Sequence, residues 1–358
     1  MPAFEEIVAR YGFTISVPGA HFWYSNLGYA LLGYAISKIT QRPLATFMEK
    51  EIFNPLGMHT TTFDRTAYAD GNLATGYDMQ GEALPDTQCD TPAAGSACST
   101  SGDMMRYALF LLGYQVAGSE RILSEEVILR IMRENDDSSR IPYLEDSYYC
   151  LGFFYKQRKD GLTEVWHEGG WDGASTLLKT IPEEKLAVVS LINTFDSVYV
   201  NDITNRIVAA VMGLEKEEKR AFPAGTPDRA TPQGPIDLVG TWEVEIKTYA
   251  GAIPIRMRFA QDGGIQVCAG EPTESSEAKW VPFQLYVSTA AWVMGVYDGI
   301  ISTEDTQRYP HQVRLSLEKD GEKLIGEATT IGSWDQDKQS RMYAGLSHYV
   351  EMVRLNNG

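Results

Sequence analysis

Between residues 214 and 235 this chain loses the means of forming a core. Glu215-Lys-Glu-Glu-Lys-Arg220 is a run of charge, and Pro223, Gly225, Pro227, Pro232, Gly234 and Pro235 follow it. A stretch with so little to bury, broken so often by proline and glycine, reads as a linker. The residue patterns on its two sides differ. The expectation is therefore a first domain over 1–213, a linker over 214–235 and a second domain over 236–358. A chain of 358 residues is long enough for both.

Before the linker, helical and strand patterns occur in turn. Asn26 to Ile39 has helical spacing, with Leu27, Ala30, Leu31 and Tyr34 on the face expected to be buried. Leu44, Phe47, Met48 and Ile52 predict a second helix, stopped by Pro55-Leu56-Gly57. Ser101 is the expected cap of a helix carrying Met105, Ala108, Leu109 and Leu112, and Ser124 that of one running to Met132. Leu151–Lys156, Thr163–His167, Ala174–Ile181 and Leu186–Asn193 then read as strands of an antiparallel meander. A closing helix puts Ile203, Ile207 and Val211 on one face and ends at Gly213. Helices segregated from an antiparallel sheet define an α+β domain.

Beyond the linker the apolar residues recur with period two. Leu238–Ile246, Ile253–Phe259, Ile265–Ala269, Trp280–Val287 and His311–Leu317 are examples, with hairpin signals at Asp262-Gly263-Gly264 and Asp320-Gly321. Short strands at near-regular spacing predict an all-β barrel or sandwich.

A net charge of -17 repels phosphate backbones and anionic lipid, so neither nucleic acid nor a membrane is an expected partner. No apolar run is long enough to span a bilayer. Met1 to Arg10 lacks the basic-then-apolar pattern of a secretory leader, which makes the cytoplasm the default and leaves export open. Cys89, Cys98, Cys150 and Cys268 show no Cys-x-x-Cys spacing and no clustering with the five histidines. That argues against a zinc site and for buried free thiols, a Cys89–Cys98 bridge being the alternative in an oxidising compartment.

Two segments carry chemistry. Tyr24-Ser25-Asn26 sits between Pro18-Gly19 and Gly28-Tyr-Ala-Leu-Leu-Gly33, with Ile52-Phe-Asn-Pro-Leu-Gly-Met58 about thirty residues on. His167-Glu-Gly-Gly-Trp-Asp-Gly173 joins two expected strands. Together they resemble the Tyr-x-Asn and Lys-Thr-Gly regions of the serine β-lactamase and penicillin-binding-protein-like family. The resemblance is to its class C, D-alanyl-D-alanine carboxypeptidase, family VIII esterase and D-aminopeptidase branches. Asn72–Tyr77 and Pro92–Asp103 match connecting segments, so the resemblance runs from about Pro2 to Gly213. The barrel, opening Leu238-Val-Gly-Thr-Trp242, resembles lipocalin-like domains appended to some members.

The resemblance implies catalytic roles for Tyr24, Asn26 and His167, and a substrate-binding wall of Glu168, Gly169, Gly170 and Trp171. His167 would supply a cation or donor, glycines let a backbone approach closely, and a strand edge pairs with the substrate's amide. Glu168 departs from the commoner small residue and bears on carboxylate recognition. The implied reaction is acyl transfer to water from an ester, a β-lactam or a peptide ending in a D-residue. No cofactor and no metal is implied.

The family's nucleophilic serine lies in Ser-x-x-Lys, well upstream of Tyr-x-Asn. The 23 residues before Tyr24 do not spell it. Ser276-Glu-Ala-Lys279 and Ser316-Leu-Glu-Lys319 do, but both fall in the barrel and read as chance matches. The expectation is thus an incomplete, truncated β-lactamase-like domain that lacks the nucleophile and two sheet strands. Its sheet edge would be exposed, and a homodimer would cover it. A tyrosine of pKa near 10 is ionised to about one part in a thousand at pH 7, so Tyr24 without the lysine has little reason to act as a base. Ser25 and Ser96 are the substitute nucleophiles to examine. Two further readings stay open: a non-hydrolytic descendant using Tyr24, Asn26 and His167 for acid–base chemistry, and a barrel acting as a small-ligand module.

Overall fold

The computed structural model describes residues 3–14, 17–18, 23–68, 71–86, 89, 91–116, 118–119, 121–132, 141–144, 147–214, 238–269, 279–288, 292–305, 311–332 and 346–355. Residues 215–235 of the expected linker, and Ser276 of the first Ser-x-x-Lys match, lie outside them. The chain forms two compact units, Ser16–Arg220 in one and Met1–Ile15 with Ala221–Gly358 in the other. Helix α1 (Phe4–Tyr11) therefore groups with the barrel rather than with its neighbours in sequence.

In the Ser16–Arg220 unit, Ser25 caps α2 (Asn26–Thr40), its Oγ accepting from the Gly28 amide at 2.9 Å. Ala30 and Gly33 are buried, whereas Leu31 and Leu32 face outward. The inner face is narrower than the apolar pattern suggested because α2 comes close to α4 (Pro92–Gly95): a Cβ on Gly33 would lie 2.6 Å from that of Ala93. The second expected helix is α3 (Leu44–Met48), prolonged by a wider π-type turn over Glu49–Phe53. The next helix, α5 (Ser101–Leu111), is capped by Thr100 and not by Ser101, with Asp103 N donating to Thr100 Oγ1 at 3.3 Å. Buried Asp103 fixes this start, accepting from Thr60 N and from the Thr60 and Thr61 hydroxyls at 2.7–2.8 Å. Ser124 caps α6 (Glu125–Met132) as expected.

Six antiparallel strands follow in sequential order: β1 (Ile141–Leu144), β2 (Ser147–Cys150), β3 (Phe153–Gln157), β4 (Thr163–Trp171), β5 (Ala174–Ile181) and β6 (Leu186–Ile192). The meander is as expected, but β1 and β2 had no clear alternation to betray them. Leu151 is not in a strand; at φ 46° it turns the chain with Gly152 into β3. Helix α7 (Ser197–Val211) buries Val200, Thr204 and Val208 and leaves Ile207 and Val211 outside. Its phase is set by Asp196, which caps it through Tyr199 N at 2.8 Å, and by Thr204, whose hydroxyl meets that of Ser190 at 2.7 Å. Phe53, Leu56, Leu111, Ile128, Phe153, Val165 and Leu178 form the core between helices and sheet.

The other unit is a closed antiparallel barrel. Its described strands are β7 (Gly240–Thr248), β8 (Gly251–Phe259), β9 (Ile265–Ala269), β10 (Trp280–Ser288), β11 (Trp292–Asp298), β12 (His311–Asp320), β13 (Lys323–Gly332) and β14 (Leu346–Arg354), closed by β9 against β10 and β14 against β7. This agrees with the lipocalin-like expectation. Trp242, Met257, Val267, Leu315, Leu324 and Met352 are among the residues that fill its interior. Strand backbones approach closely at Gly326, where a Cβ would lie 1.9 Å from the Ser316 carbonyl oxygen. Ser316 and Lys319 both lie on β12, one buried and one exposed. Three residues apart in a strand, they point to opposite faces, and they open no helix.

Helix α1 packs on the barrel through Asp305. Arg10 donates to both Asp305 oxygens at 2.9 Å, Tyr249 OH donates to Oδ2 at 2.9 Å, and Tyr11 OH donates to the same oxygen. Burial pushes the Asp305 pKa up, but these donors outweigh it and hold the carboxyl below its ordinary range. The Tyr11 ring lies 5.7 Å from that of His348, which is 1% exposed and finds no hydrogen-bond partner for either nitrogen among the described residues. Burial lowers its pKa to about 4.

Cys89 and Cys98 are free and half-buried, so the alternative bridge is not formed; Cys268 is free and buried, and the Cys150 thiol lies outside the described side chains. Among the described residues no helix is long and apolar enough to cross a membrane.

Candidate active site

The site is built on the second half of β4. Its ladder with β3 ends at the Phe154–Trp166 pair, whereas its ladder with β5 continues to Trp171–Ala174. From His167 to Gly170 the described ladder is thus on the β5 side only, which leaves the other side of the strand for a ligand.

His167 meets Tyr24 there, with ring centroids 6.2 Å apart. Its Nδ1 lies 2.6 Å from the Glu168 carbonyl oxygen. A carbonyl can only accept, so Nδ1 carries the hydrogen and the neutral ring keeps its lone pair on Nε2. Burial lowers the His167 pKa, partly opposed by that hydrogen bond and by the charge of Glu168. Burial thus favours the neutral ring, which presents an acceptor at Nε2. Tyr24 is 49% exposed, yet desolvation is the largest effect on its hydroxyl, followed by Tyr29 and the charge of Glu168; all raise its pKa. The phenol is protonated and acts as a donor. Asn26 opens α2 and is exposed.

Other aromatic residues frame this pair. The Tyr149 ring, on β2, stands edge-on to Tyr24 at 6.5 Å and to His167 at 6.2 Å, and packs on Phe154 at 4.8 Å. Tyr29 of α2 and Tyr149 share a hydrogen bond of 2.8 Å between hydroxyls. Sequence reasoning passed over Tyr149 because β2 was not foreseen, and Tyr29 because it fell outside the face read as buried.

The other expected wall residues follow along β4. Glu168 Oε1 accepts from Asn201 Nδ2 on α7 at 3.2 Å, a partner no local signal announced. The glycines answer to the protein's own packing: a Cβ on Gly169 would lie 2.3 Å from Thr176 Oγ1, and one on Gly170 would lie 2.9 Å from the Phe195 ring. Trp171 ends the strand against Ala174. Of the substitute nucleophiles, Ser25 is engaged as the α2 cap, and Ser96 ends α4. Lys179, on β5, is buried, with Nζ 3.2 Å from Glu164 and 2.8 Å from Asn205 Oδ1.

A helical layer on an antiparallel meander, with a tyrosine at a helix entrance facing a histidine on an open strand, defines a class of hydrolase-related domain. The chain belongs to the Beta-lactamase family, whose model matches residues 6–211. It is 28% identical over 204 residues to the Unguisins hydrolase ungD' of Aspergillus campestris, covering 52% of this chain and 35% of that protein. It is 24% identical over 213 residues to the D-alanyl-D-alanine-carboxypeptidase/endopeptidase AmpH of Escherichia coli K12, covering 58% and 54% respectively. The chain thus spans about a third to a half of the length of these curated relatives. Among solved structures, a crystal structure of SurE with D-Leu superimposes with a TM-score of 0.55 at 19% identity, covering 96% of this chain and 70% of that one. That likeness concerns the fold. Membership relates the chain to serine hydrolases.

Proposed function

We propose that this chain binds small acyl compounds, namely esters, β-lactams or peptides ending in a D-residue, along the open stretch of β4, as a member of a serine-hydrolase family. The observation that carries the reading is the approach of Tyr24 to His167 within 6.2 Å beside His167–Trp171. An extended substrate adds its amide to the unpaired side of β4, the Tyr24 hydroxyl donates to an oxygen, and His167 Nε2 accepts a proton. The names of the AmpH and ungD' relatives support the acyl-transfer class.

Two candidate serines support a reading without a nucleophile in this sequence: Ser25 caps a helix, and Ser316 lies on the opposite strand face from Lys319. The 358 residues are therefore expected to bind without forming an acyl-enzyme. Incubation with a fluorescent penicillin and with a fluorophosphonate tests this. Reversible protection of His167 without label is the expected result, and a label that survives denaturation would overturn it.

A second reading is favoured by the neutral state of His167. A base at Nε2 facing a protonated phenol is a pair suited to isomerisation or cyclisation, which needs no nucleophile. We propose further that a second copy covers the edge strand β6, a state that sedimentation would reveal as a dimer. The acidic surface argues for small-molecule or peptide partners over nucleic acid or anionic membrane.

A further inference from the structure

The wall of this site carries a charge of the wrong sign for an anionic substrate. Glu168 stands between His167 and Gly169 on the open stretch of β4 and is exposed. Asn201 holds it: the amide nitrogen that donates to Oε1 at 3.2 Å also donates to the Ser197 carbonyl at 3.0 Å, so α7 fixes the direction of that bond. Glu168 Oε2 has no hydrogen-bond partner among the described residues. Among the described residues, the groups beside it bring no compensating cation. His167 spends its one N–H on the Glu168 carbonyl, Tyr24 is a neutral phenol, and Lys179 of the adjoining strand is committed to Glu164 and Asn205. The charge of Glu168 is felt at both rings, since it acts on the ionisation of Tyr24 and of His167 alike.

We propose that Glu168 makes this site select acyl compounds that present an ammonium group, or a neutral hydrogen-bond donor, at the open edge of β4 and reject those that present a carboxylate there. The inference rests on the reading of the site given above and names its substrate class. An oriented carboxylate with an unused oxygen accepts from an ammonium and repels a second carboxylate. Because Glu168 is exposed, solvent screens the effect, and a discrimination of about fivefold is expected. It shrinks as salt shortens the reach of the charge, about 8 Å at physiological ionic strength.

Three small derivatives of D-alanine test the proposal on the full chain: D-alaninamide (cationic), N-acetyl-D-alaninamide (neutral) and N-acetyl-D-alanine (anionic). Binding is read from NMR shifts of the His167 ring and of the Gly169 and Gly170 amides. Wild type is expected to bind the cation about fivefold more tightly than the anion, with the neutral probe between. In Glu168→Gln, which keeps an oxygen for Asn201, the order is expected to level, and in Glu168→Lys to invert. The whole chain is acidic, so a cation preference that persists unchanged in Glu168→Gln belongs to the net charge and overturns the proposal. Equal binding of cation and anion by wild type, while the neutral probe still moves these signals, overturns it and leaves the site reading standing. If no probe moves them, the site reading fails and the inference falls with it.

Discussion

The barrel and the β-lactamase-like sheet are both antiparallel meanders, yet one closes on itself and the other stays open. Closure leaves no edge, so the barrel gives each described strand two neighbours and fills its interior with apolar side chains. The open sheet leaves the second half of β4 paired on one side, and there the chemistry-bearing residues gather. Its edge strand β6 also leaves Leu191 exposed. Closing a sheet consumes the hydrogen-bonding groups that an active site uses.

The comparison breaks most sharply where strands touch. Gly326→Ala puts a Cβ into the Ser316 carbonyl, and a loss of about 4 kcal/mol or more in barrel stability is expected, read as lost hydrogen-exchange protection of β12 and β13. Protection equal to wild type would show that the barrel yields more easily than its closure implies.

Acid is the next lever. His348 holds a folded pKa of about 4 against roughly 6.5 unfolded, so the unfolded chain binds the extra proton first. Its contribution is complete above about pH 6.5 and falls by about 3 kcal/mol as pH drops to about 4. His348→Leu removes the titrating group and two unpartnered nitrogens, so the variant barrel is expected to melt at nearly one temperature across that range. His167 is shifted in the same direction, and its NMR titration is expected below the ordinary imidazole value.

In the open sheet, Lys179→Ala leaves Glu164 with Arg158 and the exposed Asn205 with water, and a loss of about 1 kcal/mol in urea denaturation is expected. An effect of similar size concerns the frame of the site. Tyr149→Phe and Tyr29→Phe are each expected to cost about 1 kcal/mol, and the double variant little more than either, because one shared hydrogen bond is lost once. Fully additive losses would mean that the two hydroxyls act independently.

The sequence announced these two regions unequally. Period-two alternation and the Gly263 and Gly321 turns outlined the barrel because its strands bury one face throughout. The helix behind Tyr24 and the strand carrying His167 were legible from their motifs. What escaped depends on tertiary partners. Apolar content chose Ile203, Ile207 and Val211 as the inner face of α7, but the Asp196 cap and the Thr204–Ser190 contact turn Val200, Thr204 and Val208 inward. Nothing local separated Thr100 from Ser101 as a cap; Asp103, tied to Thr60 and Thr61, decided it. Burial, which sets the direction of the His167 shift, is not written in a motif, and the partners of α1 lie some 240 to 340 residues away, where no local pattern points.

That last arrangement has a consequence for the order of assembly. Arg10 and Tyr11 leave the ribosome early, but Tyr249, Asp305 and His348 must be made before the first helix has anything to hold. Through most of synthesis this amphipathic segment waits without a partner, and its docking is among the last events of folding. A chain stopped before Asp305 would leave α1 without these contacts.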